Sequence, residues 1–318
     1  MFTASQMTKN NEIWIPRRAD PYVYRHTDGT YYFTASLPDY NGIALRRSEF
    51  FEELDCGEEI LIWEKHETGP MGAHIWAPEL HYLQGKWFIY FAAGDAEDKW
   101  HIRPYVLECR GQDPMKDSWV EKGMMQCAGG DEFSFRSFSL DATVFEHKGQ
   151  YYYVWAQKVG VGKMISNLYI ARMESPTKLA TVQVLLTTPD YDWERRGLWV
   201  NEGPAVLKHN GKIYLTYSAS DTGVNYCVGM LMLNDDEDPL DPRAWRKKRY
   251  PVLQTDEEKA IYGPGHNSFS IDSDGDPVIV FHARTEKEIV GDPLYNSNRH
   301  AMYRKIRWKT DGEPIFEL

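Results

Sequence analysis

The stretch NEGPAVLKHNGKIYLTYS, residues 201–218, decides the fold. Apolar and aromatic residues flank Asn210-Gly211, a dipeptide that tolerates positive φ and so favours a tight turn between paired strands. The hairpin nevertheless opens on Glu202, set between an asparagine and Gly-Pro, although glutamate is a poor strand former. Four other segments repeat the pattern: ADPYVYRHTDGTYYFTAS (19–36), WAPELHYLQGKWFIYFAA (76–93), LDATVFEHKGQYYYVWAQ (140–157) and HNSFSIDSDGDPVIVFHA (266–283). Each has a short apolar strand, a polar turn ending in glycine and a second strand rich in Tyr, Phe, Trp, Val or Ile. The turn glycines Gly29, Gly85, Gly149, Gly211 and Gly275 lie 56, 64, 62 and 64 residues apart.

A lone hairpin is marginal in water, so a repeated one must bury its faces against neighbouring copies. A spacing near sixty residues leaves room for a four-stranded sheet with its loops, and radial repetition of such sheets gives a β-propeller. The period-2, aromatic-rich strands exclude a helical solenoid. Five units fill the chain. The expectation is an all-β, five-bladed β-propeller forming a single catalytic domain over 1–318, with HAMYRKIRWK (300–309) supplying a closing strand beside the N-terminal IWIP.

The net charge of −11 argues against the long basic faces that nucleic acid requires. RKKR at 246–249 is the one dense basic run and reads as a loop or strand end. The longest apolar run, WFIYFAA, is far too short for a membrane span. Cys56, Cys109, Cys127 and Cys227 have neither CxxC nor metal-ligand spacing and fit reduced thiols. No apolar leader stands in MFTASQMTKNNEIWIP. These features predict a cytoplasmic protein that engages neither nucleic acid nor membrane; they leave the oligomeric state open.

Residues at matched offsets in the repeats face the same region around the axis. Eight or nine positions before each turn glycine stand Asp20, Trp76, Asp141, Glu202 and His266. An acidic residue beside Pro or Gly is ordinarily a turn former, and a lone histidine ordinarily a satisfied polar group. Three carboxylates at one equivalent position repel one another, which serves function rather than stability. Carboxylates in an aromatic-lined funnel suit glycosidic bond hydrolysis, where one acid protonates the leaving oxygen and one carboxylate activates water or attacks carbon. Glu202, with the longer side chain, suits the proton donor, Asp20 the base, and Asp141 a neighbour that raises the Glu202 pKa. Trp76 offers either a sugar-facing ring or core packing.

RADPYV, WAPELH, SLDATVF, NEGPAVLK, YSAS and YGPGHNS together resemble the successive blade motifs of glycoside hydrolase family 43, over residues 16–314, and most resemble its α-L-arabinofuranosidases. The resemblance implies an inverting enzyme that releases terminal α-L-arabinofuranose from arabinan- or arabinoxylan-derived oligosaccharides, with Asp20 as general base, Asp141 as pKa modulator and Glu202 as general acid. It implies that Arg299 of SNRHAM binds sugar hydroxyls. It also implies that His266 helps hold a calcium or sodium ion of the axial channel through water, although hard cations prefer oxygen and a histidine bonded to the acid network fits equally. No cofactor is otherwise required. A β-xylosidase or a dual arabinofuranosidase/xylosidase remains the alternative, and a non-catalytic carbohydrate-binding propeller the second. The segments 36–48 and 94–105 would shape the pocket rim.

Overall fold

The structure, a computed structural model, describes residues 13–318; the first twelve positions of the expected 1–318 span, with most of the stretch MFTASQMTKNNEIWIP, lie outside it. Five antiparallel sheets follow one another along the chain. Blade 1 is built from Ala19–Arg25, Tyr31–Ser36, Gly42–Ser48 and Glu58–Glu64, in that order from the axis outward. Blade 2 comprises Ala73–Leu83, Lys86–Gly94, Arg103–Cys109 and Trp119–Met124. Blade 3 has Ser139–His147, Gln150–Val161 and Lys163–Ser175, edged by two short strands. Blade 4 has Asn201–His209, Lys212–Ala219, Cys227–Asn234 and Arg246–Lys247. Blade 5 has Tyr262–Ile271, Pro277–Arg284 and His300–Lys305.

Every hairpin between first and second strands turns on the expected glycine, and all five adopt positive φ, from 71° at Gly211 to 93° at Gly29. Blade 5 gains its fourth position from the other end of the chain. Ile15 bridges Ala301 antiparallel, with Ala301 N donating to Ile15 O at 2.9 Å and Trp14 N to Ala301 O at 2.9 Å. This pairing closes the ring.

The aromatic strands serve a core that is divided rather than central. Five apolar clusters sit one at each blade junction: Trp87 and Ile89 of blade 2 against Ile43 and Leu45 of blade 1, for example, or Ile279 and Phe281 of blade 5 against Tyr214 and Met230 of blade 4. Sheet therefore packs on sheet around the axis. The axis itself is lined by the five innermost strands.

Each innermost strand loses register with its neighbour near the axial end. At the matched break of each strand one residue is left-handed: Asp20 (φ 54°), Ala77 (46°), Asp141 (50°), Gly203 (54°) and His266 (44°); blades 2 and 5 add a second break, at His74 (50°) and Gly263 (55°). A β-bulge of this kind re-aims side chains and ends the regular ladder. Five such bulges converge on the same end of the propeller.

VGVGK (159–163) is the tight connection between the second and third strands of blade 3. Glu108 lies on the third strand of blade 2, ion-paired to Lys86 at 2.6 Å and Lys122 at 3.1 Å.

Candidate active site

A cavity of ≈ 630 Å³ opens at the bulged end, a size suited to a small ligand. Asp20, Trp76, Asp141, Glu202, His266 and Arg299, the six residues singled out in the sequence, all line it. The structure thus brings the first, third and fourth blades' carboxylates to one concave site.

Asp20 is the most elaborately held. Ser36 Oγ donates to its Oδ2 at 2.5 Å and itself accepts the Ala77 N–H at 2.8 Å, tying blade 1 to blade 2. His266 Nδ1 lies 3.2 Å from Asp20 Oδ1, and Arg299 Nη1 lies 4.0 Å from it. His282 Nδ1 accepts the Asp20 N–H at 3.0 Å, which puts the His282 proton on Nε2. Burial pushes the His282 pKa down to about 4, so this ring is neutral at ordinary pH. Burial alone would raise the Asp20 pKa, but its neighbours His266, His282 and Arg299 prevail and hold it well below the usual carboxylate range.

Asp141 and Glu202 are driven the other way. Both are raised, first by burial; Asp141 is raised further by the charges of Glu202 and Asp20. Asp141 Oδ2 accepts the Gly203 N–H at 3.1 Å, and Glu202 Oε1 accepts Tyr226 O–H at 2.8 Å. The pair therefore retains a proton at pH values where an exposed carboxyl has lost it, while Asp20 stays ionised. The two environments push the carboxyl pKa values apart, the arrangement that a division into acid and base requires.

His266 Nδ1 is shared, at 3.2 Å from Asp20 and 3.7 Å from Asp141. As a cation site it fits poorly, since one imidazole engaged by carboxylates is not a set of oxygen ligands. Among the described residues, the one grouping of three metal-capable side chains is Asp272, Asp274 and Asp276 in the blade 5 hairpin turn, where Lys305 already pairs with all three.

Trp76 is buried against His74, ring centroids 4.2 Å apart and nearly parallel, and its Nε1 has no hydrogen-bond partner. Trp76 belongs to the blade 3–4 core cluster and also lines the cavity. Arg299 donates from Nη2 to Tyr40 Oη and, at 3.3 Å, to Leu294 O.

Sequence reasoning missed the supports. Tyr226 comes from the blade 4 loop 220–226 and approaches where Gly265 has no side chain; a Cβ there would stand 2.4 Å from its ring. Ser36, His282 and Tyr40 belong to second strands and a loop, outside the matched register. Tyr40 and Trp100 come from the two segments expected to shape the rim, and both line the cavity. Lys158, from the second strand of blade 3, lines it too.

Comparison with known proteins agrees with the fold. The pattern of "Glycosyl hydrolases family 43" matches residues 10–314. An "Extracellular exo-alpha-(1->5)-L-arabinofuranosidase" from Streptomyces avermitilis is 46% identical over 95% of this chain, which spans 62% of that relative's length. A protein of the same name from Streptomyces chartreusis is 49% identical over 88% of this chain and 84% of its own. The solved α-L-arabinofuranosidase from Lactobacillus brevis superimposes with a TM-score of 0.90 at 48% identity, covering 96% of this chain and 95% of that one.

The names of the two Streptomyces relatives overturn the expected cytoplasmic placement. The thiols misled because five packed sheets need no disulfide, so unpaired cysteines, two of them buried, do not report a reducing compartment here. No helix among the described residues is long and apolar enough to cross a membrane. With motif, fold and converging carboxylates in agreement, the chain belongs to glycosyl hydrolases family 43.

Proposed function

We propose that this protein is an inverting, exo-acting α-L-arabinofuranosidase that removes terminal arabinose from α-1,5-linked arabino-oligosaccharides. The observation that carries the reading is the divided electrostatics of one cavity: an ionised Asp20 facing a proton-retaining Asp141–Glu202 pair.

Glu202 is the general acid. A glycosidic oxygen seated beside it accepts from the protonated carboxyl and so draws the pair's proton to Glu202 rather than Asp141. Transfer of that proton to the leaving oxygen accompanies cleavage of the C1–O bond. Asp20 takes a proton from water as the water oxygen bonds C1 from the opposite face, and the anomeric configuration inverts. Glu202 ends ionised and Asp20 protonated; exchange with solvent resets both. Room for that water calls for carboxyls roughly 6.5–9.5 Å apart. Asp141 maintains the raised Glu202 pKa and orients it through Gly203. Arg299 and Trp76 bind the sugar, and His266 organises Asp20 and Asp141. No step runs through an ion.

The blade 5 loop 285–298 supports exo action. Lys287, Ile289, Pro293 and Leu294 wall one side of the cavity. The wall is anchored, since Arg284 Nη2 donates to Pro293 O at 2.7 Å and Tyr40 O–H to Leu294 O at 2.5 Å. Digestion of linear α-1,5-arabino-oligosaccharides tests the reading: it expects arabinose as the sole early product, with proton NMR showing the inverted anomer first. Release of internal fragments, or activity on aryl β-D-xyloside alone, would refute it.

A further inference from the structure

We propose that Lys158 is the residue that recognises the leaving-group sugar, donating from its ammonium to hydroxyl or ring oxygens of the saccharide attached beyond the scissile bond. This rests on Glu202 being the proton donor.

The geometry is as follows. Lys158 lines the catalytic cavity beside Phe138, Leu198 and Val200, on the side formed by blades 3 and 4. Its Nζ lies 3.6 Å from the centroid of the Phe138 ring. Among the described residues that Nζ has neither an ion pair nor a hydrogen bond, although the other cavity lysine, Lys287, is paired to Glu257 at 2.7 Å. The backbone beneath it is pinned: Lys158 N donates to Phe138 O at 2.9 Å, and its carbonyl accepts Ser137 Oγ at 2.5 Å. A half-buried ammonium held over an aromatic face keeps its three donors free for a ligand.

Which ligand follows from where the acid must stand. A general acid lies within hydrogen-bond reach of the oxygen it protonates. The sugar beyond that oxygen must then occupy the space next to Glu202, which stands on the innermost strand of blade 4, in contact with the blade 3 strand that carries Lys158. The base, Asp20, with Arg299 and Tyr40, belongs to the other side of the cavity, where the departing sugar does not go. The surroundings of Lys158 are otherwise apolar, so a saccharide there has this ammonium as its strong donor.

The test compares two substrates that share the arabinosyl group and differ in the leaving group: 4-nitrophenyl α-L-arabinofuranoside, whose leaving group has no hydroxyls, and α-1,5-arabinobiose. For Lys158→Met, kcat/KM on the disaccharide should fall about ten- to hundred-fold, the worth of a hydrogen bond from a charged donor. On the aryl substrate it should fall by at most about three-fold. Lys158→Arg should recover most of the disaccharide activity, which a purely structural lysine would not require. If Lys158→Met fails to fold, Lys158→Gln serves the same comparison. Equal losses on both substrates, or no loss on the disaccharide, would overturn the assignment while leaving the enzyme an arabinofuranosidase. A wild-type protein inert toward both substrates would overturn the activity itself.

Discussion

Blades 3 and 4 carry the same bulge at the same height and load it differently. In blade 3 the left-handed residue, Asp141, itself lines the cavity; in blade 4 it is Gly203, and the cavity-lining side chain stands one residue earlier, on Glu202. Blades 1 and 5 follow blade 3, with Asp20 and His266 on the bulge; blade 2 follows blade 4, with Trp76 ahead of Ala77. The repeat thus reproduces a backbone distortion, not a residue. A left-handed L-residue costs roughly 1–2 kcal/mol, and four of them, Asp20, Tyr40, Asp141 and His266, line one cavity. Strain of that kind persists where the surroundings over-determine it, as at functional sites.

The largest effects should come from the carboxylates of the two bulge types. Asp20→Asn and Glu202→Gln should each lower kcat on arabinobiose by about 10²–10⁴-fold, the range of general acid–base catalysis. Assays with 4-nitrophenyl α-L-arabinofuranoside should then separate them. Its good leaving group needs little protonation, so Glu202→Gln should regain activity there and Asp20→Asn should not. The same recovery in both variants would break the assignment of acid and base.

Backbone strain comes next. Gly203→Ala puts a Cβ 3.2 Å from the His266 ring at a φ of 54°, and should cost about 1–3 kcal/mol in urea unfolding. Ala77→Gly, at the equivalent left-handed position, should be neutral or stabilising by about 1 kcal/mol. Equal effects from the two changes would show that the shared distortion constrains neither blade.

The smallest effect has opposite signs on two aspartates. Asp141 has a raised folded pKa, so its contribution to stability is present below the unfolded value of about 3.9 and is lost as pH rises. Asp141→Asn should therefore raise the melting midpoint at pH 7 by about 2–4 °C per kcal/mol relieved, and the gain should vanish in acid. Asp20 is held low, so its contribution is present above the unfolded value and lost as pH falls; Asp20→Asn should lower the midpoint at pH 7 and converge with wild type in acid. Shifts of one sign would contradict the divided electrostatics.

The fold was legible because one turn glycine recurs in every blade, and the hairpin around it fixes where each innermost strand begins. The same register exposed Asp20, Asp141 and Glu202. It did not expose Tyr226, Ser36 or His282, which arrive from second strands and a loop that the repeat does not align. Gly265 was their single local trace, a glycine spared for the ring of Tyr226. Arg299 was reachable through resemblance alone, since it lies beyond the last hairpin. Cellular location was misread because thiol chemistry says little about a protein stabilised by stacked sheets.

The bridge between Ile15 and Ala301 joins segments near opposite ends of the described chain. During synthesis Ile15 leaves the ribosome early, and its partner emerges only with the third strand of blade 5. Individual blades can form as they appear, but until then the first and fifth present open strand edges of the sort that chaperones shield and neighbouring nascent chains invade. Completion of the cavity, which draws on both of those blades, therefore waits for the third strand of blade 5, and the interval before it is when this protein is most exposed to misassembly.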